Sequence, residues 1–155
     1  MAKEIERKFL LAEFPRDLNP ESQQELMQGY LQLDDHKDLR IRKSSKGFTL
    51  TAKVGVGLVR EESEHGISEA MFNTLWPFTE NKRISKVRHR VLLNNQPCDI
   101  DVYRGSLDGL IVMETEFDSE SDAERFSFPD FCVKEITGDH SYRNAELAQF
   151  GMPKN

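Results

Sequence analysis

Charged and apolar residues alternate with a period of two along most of this chain, and several of the charged sets carry a single sign. The first ten residues set the pattern: Glu4, Glu6 and Lys8 share one parity, and Ile5 and Phe9 share the other. Successive side chains of a strand point to opposite faces, so two carboxylates and an ammonium stand side by side. Leu39 and Ile41 alternate with Arg40 and Arg42, and Phe48, Leu50 and Ala52 alternate with Thr49, Thr51 and Lys53. Arg60, Glu62 and Glu64 share a parity, as do Lys86, Arg88 and Arg90. Ile100 and Val102 alternate with Asp99, Asp101 and Tyr103; Ile111, Met113 and Phe117 alternate with Glu114 and Glu116. An ordinary sheet with one wet face alternates too, but its polar positions hold Thr, Ser, Gln and Lys in mixed order. Segments that are wholly basic or wholly acidic ask for a polar face turned inward, with the apolar face outward beneath helices. Closing the sheet into a barrel makes that face the wall of a charged channel.

Turn signals divide the chain into elements. Residues 3–11 read as a strand and Pro15, Asn19 and Pro20 as a loop, with a short helix expected over Glu21–Met27. Gly29–Leu33 reads as a strand, and Leu39–Ser44 with Phe48–Val54 as a hairpin across Ser45-Lys46-Gly47. Leu58–His65 is the next strand. A helix over Ile67–Trp76 is capped by Ser68 and stopped by Pro77. Arg83–Leu93 and Pro97–Arg104 form a second hairpin turning at Asn94-Asn95, followed by a strand over Leu110–Phe117. Ser119 with Asp122 resembles a capping box for a helix to Phe126. Phe131–Ile136 reads as a short strand, and Ser141–Phe150 as a final helix ending at Gly151. The expected fold is mainly β (α+β): a single domain, 1–155, built as a closed antiparallel barrel of about eight strands with short helices packed outside.

The 155 residues suit one domain. A net charge of -6 argues against a general nucleic-acid binder, whose phosphate contacts need net basic surface. It leaves room for a local basic pocket that takes one polyanion. Cys98 and Cys132 lack metal-type spacing and read as reduced thiols of a reducing compartment. No N-terminal apolar segment of secretory type is present, and no apolar run approaches the ~20 residues of a membrane span. A cytoplasmic protein with no membrane partner is expected. An outward apolar face incompletely covered by helices would support a homodimer.

Glu4 with Glu6, Asp99 with Asp101, and Glu114 with Glu116 are three acidic pairs spaced i, i+2 on strands. Neighbouring carboxylates repel unless a cation lies between them. Pairs meeting across a barrel would offer oxygen ligands to a hard divalent ion, Mg²⁺ or Mn²⁺. Lys8, Arg40, Arg42, Lys53, Arg60, Lys86 and Arg88 form a basic set suited to phosphate. Arg90, Glu62 and Glu64 are expected to form structural ion pairs. The histidines, His36, His65, His89 and His140, show no nucleophile–base arrangement and are taken as non-catalytic.

The ordered motifs Glu4-Ile5-Glu6-Arg7-Lys8, Leu39-Arg40-Ile41-Arg42, Leu50-Thr51-Ala52-Lys53 and Val59-Arg60-Glu61-Glu62-Ser63-Glu64 resemble the CYTH superfamily, the triphosphate tunnel metalloenzymes. So do Lys86-Val87-Arg88, Asp99-Ile100-Asp101-Val102-Tyr103, Met113-Glu114-Thr115-Glu116-Phe117 and the closing run from Thr137 to Ala145. The resemblance implies an eight-stranded antiparallel tunnel for a linear triphosphate. It implies Glu4, Glu6, Asp101, Glu114 and Glu116 as metal ligands, with Asp99 standing where many members have Glu. Lys8, Arg40, Arg42, Lys53, Arg60, Lys86 and Arg88 are the implied triphosphate contacts.

Short members without a fused helical domain look most like inorganic tripolyphosphatases. The implied reaction is Mg²⁺- or Mn²⁺-dependent hydrolysis of tripolyphosphate to pyrophosphate and phosphate, with Glu4, Glu6 and Lys8 catalytic and Lys8 orienting or activating water. The alternatives are a class IV adenylyl cyclase acting on ATP, a thiamine triphosphatase, and a non-catalytic sensor that binds polyphosphate or a nucleoside triphosphate.

Overall fold

The computed structural model describes residues 1–154. Nine strands are present among them: β1 (Ala2–Leu11), β2 (Ser22–Leu33), β3 (Lys37–Ser44), β4 (Gly47–Val54), β5 (Val59–Ile67), β6 (Arg83–Leu93), β7 (Gln96–Tyr103), β8 (Ile111–Phe117) and β9 (Cys132–Glu135). The helices are α1 (Glu69–Leu75), α2 (Glu120–Arg125) and α3 (Asn144–Phe150). The sheet runs β5-β4-β3-β2-β6-β7-β8-β1, and an additional β5–β1 pairing closes it into an eight-stranded antiparallel barrel. Along one edge β1 pairs with β8 from Ile5 to Leu11. Its other edge is divided: Ala2–Ile5 pair with β5, and Phe9–Leu11 with β9. Glu6 N–H bridges the interval by donating to Leu58 O at 3.0 Å, and Lys8 N–H donates to Thr137 Oγ1 at 2.9 Å.

Local chemistry sets most of the boundaries. Asn94 and Asn95 both take positive φ, 51° and 66°, as the two-residue turn between β6 and β7 demands. Ser68 Oγ accepts from Met71 N–H and Ser119 Oγ from Asp122 N–H, so both predicted caps form. The final helix is shorter than expected. His140–Tyr142 make a 3₁₀ turn, Arg143 is extended, and α3 begins at Asn144.

The expected helix over Glu21–Met27 is corrected: these residues lie in β2. Ser22–Gly29 pair in register with Arg90–Arg83 of β6. Leu26, Gln28 and Tyr30 are buried while Met27 is exposed, which is strand periodicity. Pro20 followed by Glu-Ser-Gln-Gln-Glu-Leu-Met imitates a helix start, and pairing with a full-length neighbour overrides that propensity.

The barrel is apolar outside and charged inside. On one flank Phe9, Leu11, Val91, Cys98, Ile100 and Met113 form a buried cluster with Cys132, covered by Phe126 and Phe131. At one end the inward positions turn apolar: Tyr103 shares the parity of Asp99 and Asp101, and Val112 that of Glu114 and Glu116. These two pack with Tyr30, Ile84, Leu107 and Leu110 against Ala145 and Leu147 of α3. Gly29 lets β2 approach the turn after α1, because a Cβ there would stand 2.5 Å from Thr79 Cβ. Among the described residues no helix is long and apolar enough to cross a membrane.

Candidate functional site

The inward faces enclose a cavity of about 990 Å³, lined mainly by charged side chains. Strand register explains the acidic end. Glu6 on β1 stands directly opposite Glu116 on β8, and Glu4 opposite Arg60 on β5. Like charges directly opposite one another destabilise a sheet. Carboxylate oxygens of Glu4, Glu6 and Glu116 all lie within 4.8 Å of one another. Burial and then the nearby Glu114 push Glu6 up to about 7. The hydrogen bond to Glu4, and then burial, push Glu62 up to about 7. Burial likewise raises Glu116. Burial would raise Glu4 too, but the Glu62 hydrogen bond and Lys53, 2.9 Å away, hold it below its ordinary value. Carboxyls converging on one point, two of them pushed toward protonation by burial and by neighbouring carboxylates, are a donor set that suits a hard divalent cation. The residues present fit such an ion.

Basic groups surround this cluster. Burial works against the charge on Lys8, but Glu114 and Glu6 outweigh it and raise its pKa. Its ammonium lies 3.6 Å from Glu114 and 3.8 Å from Glu6. Lys8 is therefore held as a cation between these two carboxylates. Burial also opposes the charge on Glu114, yet Lys8 and Arg88 hold its carboxyl well below the carboxylate range. Arg42 is fixed by Gln28, whose Oε1 accepts from Nε at 3.0 Å and Nη2 at 2.8 Å. Burial beside Arg40 and Arg88 brings Arg42 down to about 9, so it remains a guanidinium at neutral pH. Arg40 is buried, with Nη2 3.4 Å from Thr51 Oγ1. Arg60 donates to Gly55 O at 2.9 Å and to Asp38 at 3.0 Å.

Two predicted residues stand apart. Asp101 and Lys86 are each 0% exposed and do not line the cavity. Both Asp101 oxygens accept from Arg88 at 2.8 Å, and the Lys86 ammonium lies 2.7 Å from Oδ2. Expected as a metal ligand, Asp101 is here the buried counter-ion of two cations in the wall. Lys86, expected on phosphate, is one of those cations. Burial lowers its pKa to about 8 despite Asp101. Asp99 does face the cavity, where it pairs with Arg90 at 2.7 Å and Arg88 at 3.5 Å. Arg90 thus forms its expected ion pair. Among the described residues Glu62 and Glu64 make no ion pair within 4 Å, and Glu64 accepts from Thr51 Oγ1. The sequence reading missed Tyr30, Asp38 and Arg143, which also line the cavity. Arg143 stood in the closing motif, but no alternation marked it as inward.

A closed antiparallel barrel with a carboxylate cluster facing fixed guanidinium and ammonium groups defines a metal-dependent polyanion site. Residues 2–137 match the CYTH domain, and the chain belongs to the CYTH family. It is 40% identical over 148 residues to an inorganic triphosphatase of Nitrosomonas europaea, covering 94% of this chain and 96% of that protein. An inorganic triphosphatase of Acetivibrio thermocellus is 29% identical over 153 residues, covering 96% and 95%. The crystal structure of an inorganic triphosphatase matches with a TM-score of 0.73 at 36% identity over 99% of both chains. A Hippeastrum protein studied as an adenylyl cyclase and described as dominantly a triphosphatase matches with a TM-score of 0.58, covering 78% of this chain and 82% of its own. At 13% identity that likeness is one of fold alone.

Proposed function

We propose that this chain hydrolyses inorganic tripolyphosphate to pyrophosphate and phosphate, using a divalent cation held by Glu4, Glu6 and Glu116. The convergence of those three carboxylates opposite fixed cations in one cavity carries the reading. The inorganic triphosphatases at 40% and 29% identity supply the substrate class. An all-oxygen ligand set suits Mg²⁺ or Mn²⁺. When bound, such an ion neutralises phosphate oxygens and makes phosphorus more electrophilic.

The chain's own residues do the rest by position and charge, which is most of what phosphoryl transfer asks. Arg40, Arg42, Lys53, Arg60 and Arg88 present donors to the oxygens of the linear anion. Gln28 fixes Arg42, and Asp101 fixes Arg88, so these guanidiniums meet the substrate already oriented. Lys8, held charged between Glu6 and Glu114, orients the attacking water or takes charge from the leaving phosphate. Lys86 and Asp101 keep the wall rigid from behind, and Glu114 holds Lys8 and Arg88 in place.

Phosphorus NMR with Mg²⁺, run in parallel on tripolyphosphate, thiamine triphosphate and ATP, tests this reading. Conversion of tripolyphosphate to pyrophosphate and phosphate, with the other two nearly untouched, is the expected result. Pyrophosphate with cyclic AMP from ATP would make the protein a cyclase, and preferential thiamine triphosphate cleavage a thiamine triphosphatase. Binding of tripolyphosphate with no product would make it a sensor.

A further inference from the structure

Arg143 lies beyond the residues that match the CYTH domain, in the extended link between the 3₁₀ turn and α3. Its backbone is fixed from both sides. Arg143 N–H donates to His140 O at 3.1 Å, and Leu147 N–H donates to Arg143 O at 2.9 Å. Asn144 accepts from the Tyr103 hydroxyl, and Ala145 and Leu147 are buried in the apolar cluster that ends the barrel. The side chain is only 10% exposed and lines the cavity that Lys8 and Arg60 also line. Its guanidinium is used at one nitrogen. Nη2 reaches Lys37 O at 3.4 Å and Asp38 Oδ2 at 3.3 Å, both long contacts. Nε and Nη1 are buried with no hydrogen-bond partner among the described residues.

A guanidinium placed only to tie this link to β3 would turn its two-nitrogen edge onto the carboxylate, as Arg88 does on Asp101 at 2.8 Å. Arg143 instead shares a single oxygen of Asp38 with Arg60, so two cations meet one carboxylate and one positive charge is left over. Buried N–H groups with no acceptor are costly and rare, and here they sit in the wall of a polyanion cavity.

We propose that Arg143 is a substrate-contacting residue: its unpaired Nε–H and Nη1–H groups donate to phosphate oxygens of the bound tripolyphosphate, alongside Arg60. The proposal rests on the hydrolase reading for the identity of the anion. It adds that the segment after residue 137 supplies part of the binding site, so that anion binding and docking of α3 stabilise each other.

Calorimetric titration of tripolyphosphate without metal separates this contact from turnover. Arg143→Gln should weaken binding by roughly 10- to 100-fold, as expected for loss of charge-assisted hydrogen bonds to an anion. Arg143→Lys should recover part of that loss. The melting temperature of the anion-free Gln variant should stay at or above that of the parent, because a buried cation with unmet donors has been removed. The same variant should raise KM in the Mg²⁺ assay more than it lowers kcat. Equal anion affinity in the parent and the Gln variant overturns the proposal, as does a lowered anion-free melting temperature with unchanged KM. A parent that binds tripolyphosphate without turning it over refutes the hydrolase reading alone, and the Arg143 contact is still read from the titration. A parent that does not bind it refutes both.

Discussion

Asp101→Asn separates a ligand from a counter-ion. Sequence and family resemblance make Asp101 a metal ligand, whereas its surroundings make it the charge that permits Lys86 and Arg88 to be buried. All three Asp101 contacts lie at 2.7–2.8 Å, and neither Asp101 nor Lys86 has exposed area. Breaking a buried ion pair from one side costs about 3–5 kcal/mol. For a chain of this size each kcal/mol lowers Tm by about 2–4 °C, so a fall of roughly 6–20 °C is expected. Lys86 supplies an internal control. Its pKa, already lowered to about 8, must drop further once Asp101 no longer raises it. A lysine with a depressed folded pKa destabilises most where it is charged in both states, and stability returns as pH rises above the folded value. The Tm gap between parent and variant should therefore narrow as pH is raised from about 6 toward 8. Thermal melts without metal, repeated across that range, measure both effects. A variant that melts within about 2 °C of the parent yet no longer gains stability from Mg²⁺ would refute the argument and restore Asp101 as a ligand.

Three further outcomes are expected. Glu116→Gln should lower Mg²⁺-dependent turnover by roughly 10²-fold or more, because the lost ligand supports several kcal/mol of charge stabilisation. Its Mg²⁺-induced rise in Tm should shrink with it; unaltered turnover would remove Glu116 from the metal site. Glu6 and Glu62 have folded pKa values raised from 4.5 to about 7, so their stabilising contribution is full below the unfolded value and lost as pH rises through about 7. Without metal, Tm should accordingly fall across that window, and Mg²⁺ should restore it only on the alkaline side, where the ligands have shed their protons. Gly29→Ala puts a methyl 2.5 Å from Thr79 Cβ and 2.6 Å from its Oγ1, which accepts from Arg83. Forced repacking there should cost about 1–3 kcal/mol in chemical denaturation, with the kinetics of the folded enzyme unchanged.

Parity told which face each residue takes, and it told little about height along the barrel. Alternation at Glu4, Glu6, Arg40, Arg42, Glu114 and Glu116 placed all six on the lumen side, where the structure has them. Lys86 and Asp101 share parity with Arg88 and Asp99, and yet they lie buried below the cavity among Tyr103 and its neighbours. Strand stagger decides which inward residues meet solvent and which are sealed, and stagger follows from pairings between distant segments. The β2 misreading has the same origin: local residues of helical character were set into a strand by β6. Arg143 was illegible for a different reason, since an extended link has no periodicity to read.

The divided edge of β1 carries a consequence for folding order. Glu4 and Glu6 belong to the strand that closes the barrel, and their partners lie far along the chain, at Arg60 and Glu116. Pairings at such separation are entropically late. The three carboxylates are therefore not assembled until the N-terminal strand has zipped into place, and a divalent ion held by them would recognise only the finished ring. Such an ion would prolong the lifetime of the closed state more than it hastened its formation, and so would serve as the latch on the last seam to close.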